Sequence, residues 1–143
     1  WWGELDEMPK TLVHNDFNPR NLAFRRLEDN SLRLVAYDWE LATIHVPQRD
    51  LAELLAFVLT PQCTKDEVSE YIEYHRTCLE EYTGASLPAD QWLRGYQLVM
   101  RDVLINRIGH YIMGHTFTCY SFLERVVSTL KHLLYLHPKG DAK

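Results

Sequence analysis

Near the start of the chain, residue types and spacing suited to phosphoryl transfer occur together. His14-Asn15-Asp16-Phe17-Asn18-Pro19-Arg20-Asn21 has the form H-x-D-x-x-x-x-N, and Val35-Ala36-Tyr37-Asp38 is an apolar run that ends in an acid. Phosphoryl transfer passes through a loose transition state, so the protein contributes positioning and charge stabilisation. The reaction needs a carboxylate to orient the attacking hydroxyl and take its proton, a role worth about 10²- to 10⁴-fold. It also needs hard oxygen ligands for the Mg2+ that bridges the phosphates of ATP. Asp16 fits the first role. Asn21 can return across the loop with a neutral amide oxygen, and Asp38 supplies an anionic ligand.

These residues need a frame. Thr11-Leu12-Val13 reads as a short strand, and the Asn-, Asp- and Pro-rich run after His14 is loop chemistry. Leu22-Ala23-Phe24 is a second short strand, Glu28 to Ser31 a turn, and Leu32 to Tyr37 the return strand of a hairpin. A hairpin brings its two ends together, which places Asn21 beside Asp38. After Pro47 the pattern becomes helical. Arg49–Leu59 carries an apolar face at Leu51, Leu54, Leu55 and Val58. A second helix is expected from after Thr64 to about Tyr82, stopped by Gly84. A third runs from about Gln91 to Met113, and a fourth from about Tyr120 to Leu136, before His137-Pro138-Lys139-Gly140 and a polar tail.

H-N-D-F-N-P-R-N followed by Y-D-W-E closely resembles the aminoglycoside phosphotransferase and choline kinase-like superfamily, distant relatives of protein kinases. Asp38-Trp39-Glu40 stands where protein kinases carry D-F-G, and Asp50-Leu51-Ala52 resembles the D-L-A segment of the family. The resemblance implies an α+β fold: the C-terminal lobe of a protein-kinase-like fold, with a small β-hairpin region packed on a mostly helical body. It implies catalysis by Asp16, metal binding by Asn21 and Asp38, and structural support of the catalytic loop by His14 and Asp50. It further implies ATP as co-substrate, Mg2+ as cofactor and a small-molecule hydroxyl acceptor, with no substrate-binding position assigned. Residues 1–143 read as a single catalytic lobe. The chain opens Trp1-Trp2-Gly3 without an initiator Met, and no lysine sits where one would pair with ATP phosphates. A nucleotide-covering N-terminal lobe is therefore expected in cis, and the lobe alone is expected to bind ATP weakly.

Simpler readings exist for each residue. Asp16 and Asn18 taken singly are turn formers, Asp50 is a first-turn helix acid, and Arg20 reads as solvated or ion-paired. His110 and His115 do not share a helical face as metal ligands would. Tyr71, Tyr74, His75 and Cys78 read as a packing stripe. The ordered constellation outweighs these readings for Asp16, Asn21 and Asp38. The rival function is a non-catalytic, kinase-derived binding or regulatory module of a larger protein. A metal-dependent phosphohydrolase would need more converging histidine and aspartate ligands.

Composition narrows the field further. With 143 residues and a hydrophobic fraction of 46%, the chain can form a globular core. A net charge of -5 without a basic block argues against nucleic-acid binding. Cys63, Cys78 and Cys119 are widely spaced, which suits free thiols in a reducing cytoplasm. The most apolar stretch, Val99 to Phe122, is broken by Arg101, Asp102 and Arg107, so it reads as a core helix and not a membrane span.

Overall fold

The first third of the chain is organised by turn chemistry. The structure, a computed structural model, describes residues 1–137, so the Pro138-Lys139-Gly140 stop and the polar tail lie outside the described residues. A short helix α1 (Trp2–Asp6) leads into strand β1 (Thr11–Val13). The loop that follows closes with a 3-10 turn at Pro19–Asn21. Asn18 caps that turn by accepting the Arg20 N–H, and Pro19 occupies a position where its missing N–H is no loss.

Strands β2 (Leu22–Arg26) and β3 (Leu32–Ala36) then form an antiparallel hairpin with Leu22 opposite Ala36 and Arg26 opposite Leu32. Its turn is fixed by Asp29, which accepts from the Ser31 N–H at 2.9 Å and the Ser31 hydroxyl at 2.6 Å. Beyond the hairpin, β4 (Thr43–His45) returns antiparallel to β1, pairing Leu12 with Ile44. Neither α1 nor β4 is expected from the sequence, since elements this short carry no readable periodicity.

The helical body comprises α2 (Gln48–Val58), α3 (Lys65–Thr83), α4 (Ala89–Asp102), α5 (Gly109–His115) and α6 (Leu123–Leu136). Both ends of α3 fall where local signals put them. The Thr64 hydroxyl accepts the Glu67 N–H at 3.2 Å, and Gly84 ends the helix at φ 69°, a conformation glycine adopts without strain. The third expected helix is interrupted. A π-helix at Val103–Ile108 separates α4 from α5, and such wide turns concentrate at functional sites. The fourth begins at Leu123, three residues later than its apolar pattern suggests.

The fold is α+β, a helical body carrying two small antiparallel sheets. Its core is formed by Tyr96, Leu98, Val99, Met100, Val103 and Ile108 of the interrupted helix, packed against Ala52, Leu55 and Ala56 of α2 and Val126, Leu130 and Leu133 of α6. Helices α2 and α4 cross closely at Gly95, where a Cβ would lie 2.6 Å from Gln48 Nε2. No helix of the described residues is long and apolar enough to cross a membrane.

Helix α2 is rotated relative to its sequence reading. Leu51, Leu54 and Val58 face an open groove of about 660 Å³, shared with Tyr71 and Tyr74 of α3. The buried side instead combines Ala52, Leu55 and Ala56 with Gln48, Arg49 and Glu53. The stripe on α3 is likewise only partly packing, because Tyr74 is 71% exposed. His75 does pack, with its ring 5.3 Å from that of Trp92.

Burial pulls the His75 imidazole from an ordinary pKa of 6.5 to about 4. The unfolded chain binds that proton near pH 6.5, whereas the folded chain resists it until about pH 4. Stability from this group is therefore complete above pH 6.5 and falls on acidification through the window, by up to ~1.4 kcal/mol per pH unit. Urea unfolding between pH 4 and 6.5 should show His75→Phe with a flatter pH dependence than the parent, by up to about one proton. Parallel slopes would mean that His75 titrates freely in the folded state.

Candidate active site

The loop between β1 and the 3-10 turn is pinned to the first turn of α2. Asp50 Oδ2 accepts the His14 N–H at 2.7 Å, and Oδ1 accepts the Asn15 N–H at 2.9 Å. Bonds from backbone donors to a charged acceptor are the stronger kind. Asn15 takes φ 60° and donates its amide to the Leu41 carbonyl at 3.2 Å, which turns the chain sharply just before Asp16. The buried His14 ring donates from Nε2 to the Tyr37 carbonyl at 2.8 Å and lies 4.6 Å from the Trp39 ring. One imidazole therefore ties the loop to the end of the hairpin.

Asp16 stands at the centre of a donor array. Asn18 Nδ2 reaches its Oδ1 at 2.6 Å, and Asn21 Nδ2 reaches its Oδ2 at 2.9 Å. Arg107, from the π-helix, forms an ion pair with Oδ1. The side chain keeps 18% exposure, so a small molecule can still approach it. Asn18 is itself fully buried and also reaches Glu53 of α2, at 3.4 Å.

The hairpin register fixes where Asn21 and Asp38 stand. The Tyr37 N–H donates to the Asn21 carbonyl at 3.1 Å, which extends the β2–β3 ladder one step and leaves Asp38 as the next residue. With its amide nitrogen bonded to Asp16, Asn21 has its oxygen as the remaining ligand atom. Asp38 is exposed and sits at φ 64°, ψ 59°. A left-handed non-glycine residue costs of order 1–3 kcal/mol, and such strain collects at functional sites.

An amide oxygen and a carboxylate suit Mg2+, which takes few protein ligands and completes its shell with water and substrate phosphates. Among the described residues, no group of three or more His, Cys, Asp and Glu side chains converges as a metal cluster.

Behind the loop lies an ionic network that the sequence does not reveal. Glu53 is fully buried, with Oε2 3.0 Å from Arg49 Nη1 and Oε1 3.1 Å from Arg107 Nε. Burial raises its pKa, against the opposing pull of Arg49. Arg49 also approaches Asp102 at 3.4 Å, and Asp102 accepts from Asn106 at 2.6 Å. The sequence signals for this network are the i,i+4 spacing of Arg49 and Glu53 and the charges that interrupt the apolar stretch around Val99 to Phe122.

Arg20 is exposed, as its sequence reading as a solvated residue has it, and it also packs on aromatic rings. Its guanidinium lies 4.9 Å from the Phe122 ring centre and 5.4 Å from that of Tyr111, and it donates to the Tyr111 hydroxyl. It is an aromatic-packed cation. His110 and His115 have structural partners: His110 Nδ1 bonds the Asn106 carbonyl, and His115 Nδ1 accepts the Tyr120 N–H at 3.0 Å. Of the cysteines, Cys63 is buried and Cys119 exposed, and all three are free thiols.

The family model for the phosphotransferase enzyme family, APH, matches residues 1–95. The chain belongs to this family. The matched stretch holds the Asp16 loop, the hairpin, Asp38 and Asp50, and it ends within α4, before Arg107. No curated protein and no solved structure matches the chain.

Removing the Asp50 carboxylate would strand two backbone donors. Hydrogen bonds to charged groups contribute about 1.5–3 kcal/mol each, partly recovered here by water. Asp50→Ala should therefore lose roughly 2–3 kcal/mol in urea unfolding, with amide exchange accelerated first at His14 and Asn15. Full retention of stability and protection would show that the loop holds its shape without α2.

Proposed function

We propose that this chain is the catalytic lobe of an ATP-dependent phosphotransferase that transfers the γ-phosphoryl group to a hydroxyl of a small molecule. The observation that carries this reading is the shared frame of Asp16, Asn21 and Asp38. One loop, pinned by Asp50 and by the His14 ring, sets the carboxylate and its amide neighbour beside the end of the hairpin.

In this reading Asp16 is the catalytic carboxylate. It accepts a hydrogen bond from the acceptor hydroxyl and takes its proton as the hydroxyl oxygen bonds to the γ-phosphorus. The bond from that phosphorus to the β–γ bridging oxygen breaks, and ADP leaves with the electron pair. Asn21 Oδ1 and the Asp38 carboxylate would hold the metal. Mg2+ bound there with ATP would neutralise charge on the β- and γ-phosphate oxygens. His14 and Asp50 hold the loop and do not react.

ATP binding in this reading also draws on an N-terminal lobe in cis. The β2–β3 hairpin supports such a cover, since Phe24 is 71% and Leu34 48% exposed. Two-stranded hairpins are marginal in water unless something packs on them.

The test is an ADP-release screen with Mg2+ and ATP, run on the chain alone and on a polypeptide extended N-terminally to include that lobe. The acceptors are an aminoglycoside, choline, ethanolamine, a hexose and a hydroxyl amino acid. Acceptor-dependent ADP release is expected from the extended protein, and little from the chain alone. Asp16→Asn should lower kcat by at least about 10²-fold with nucleotide affinity little changed. Asp38→Ala should instead weaken Mg2+–nucleotide binding. Near-parental rates in both variants would remove these residues from the chemistry. Nucleotide binding without transfer to any acceptor would favour the non-catalytic module.

A further inference from the structure

The Asp16 carboxylate is filled unevenly. A carboxylate offers about four lone-pair directions, two on each oxygen. Oδ1 receives both Asn18 Nδ2 and the Arg107 guanidinium, whereas Oδ2 receives Asn21 Nδ2 alone among the described residues. Oδ2 is therefore the oxygen with room for another donor.

Arg107 is itself held on three sides. Its Nε donates to Glu53 Oε1 at 3.1 Å, and Glu53 is fully buried. Its guanidinium carbon lies 5.1 Å from the Tyr111 ring centre, and its other nitrogen meets Asp16. The planar, forked guanidinium suits this geometry because it can serve two carboxylates in fixed directions, which an ammonium cannot. It comes from the π-helix, Val103–Ile108, whose wide turn departs from the regular helix expected there.

We propose that Arg107 is a positioning residue for phosphoryl transfer: it occupies Oδ1 of Asp16 and so makes Oδ2 the oxygen that receives the acceptor's proton. This rests on Asp16 being the catalytic carboxylate. Arg107 lies beyond the family-matched stretch, which ends at residue 95. The role is thus supplied by the C-terminal helices, from outside the sequence motif that carries Asp16. Without the guanidinium, each oxygen would keep one amide donor, Asn18 on Oδ1 and Asn21 on Oδ2, and nothing would distinguish the two as the one that faces the acceptor.

The experiment is a double-mutant cycle of Arg107 and Asp16, read in two ways. The first readout is urea unfolding of the 143-residue chain with Arg107→Gln, Asp16→Asn and both changes. It needs no acceptor and reports whether the two side chains are coupled at all. The second is ADP release by the N-terminally extended protein, with the same acceptor panel. Arg107→Gln should lower kcat about tenfold or more while leaving KM for ATP within about twofold, and Arg107→Lys should recover only part of the loss. In the Asp16→Asn background the Arg107 change should have little further effect on kcat.

Equal loss in both backgrounds, or full recovery with lysine, would overturn the positioning role. Additive unfolding effects would overturn the contact itself. Coupled unfolding without acceptor-dependent ADP release from the parent would sink the phosphotransferase reading, and with it the positioning role, while leaving the ion pair as a structural contact.

Discussion

A carboxylate in a protein interior must be paired, and the rest of this structure is arranged around one that is. Glu53 has no solvent exposure, and it gathers Arg49, Arg107 and the Asn18 amide. Leaving such a charge without its partners costs about 3–5 kcal/mol. The three elements that reach Glu53 are therefore held together by the same requirement. One is α2 itself, one is the loop through Asn18, and one is the π-helix through Arg107. The apolar core brings the helices together, but it does not dictate where the loop sits on them. The buried charge does.

Helix α2 acts as a post with two attachment points a turn apart. Asp50, in its first turn, takes the loop backbone at His14 and Asn15, and Glu53 takes the loop side chain at Asn18. Between these points the loop has little freedom, and Asn15 accepts a left-handed conformation there. The His14 ring then carries the constraint onward to Tyr37. Asp16 and Asp38, on different segments, are thus positioned by one rigid hydrogen-bonded path. Preorganisation of this kind is what phosphoryl transfer asks of a protein, because the transition state is stabilised by groups already in place.

The polar face of α2 also explains its unusual burial. A helix of this amphipathicity would ordinarily bury its leucines, yet Leu51, Leu54 and Val58 line an open groove while Arg49 and Glu53 are inside. The buried side is the one with partners on two other elements. Apolar periodicity identifies the helix and its length; it ranks the faces wrongly because hydrophobicity alone does not register ion pairs that only folding creates.

What the sequence determines is local. The Asn-, Asp- and Pro-rich loop, the hairpin and its ends, the start of α3 at Thr64 and its stop at Gly84 all follow from short-range backbone preferences, and each lies where its signal is. The spacing from Asn21 to Asp38 encodes a hairpin, and the hairpin closes so that Asn21 pairs with Tyr37 and Asp38 comes next. Strand β4 and the π-helix are different. Three strand residues gain their identity only by pairing with β1, and a widened turn looks like any other helical stretch in one dimension. Arg107 belongs to the same class. Its meaning depends on Asp16 and Glu53, 91 and 54 residues away along the chain, and only tertiary packing brings those charges within reach of one guanidinium. The sequence alone thus placed the candidate reacting groups on their loop and hairpin, while the fold decided which charges surround them, because ion pairing depends on distance in space and not on separation along the chain.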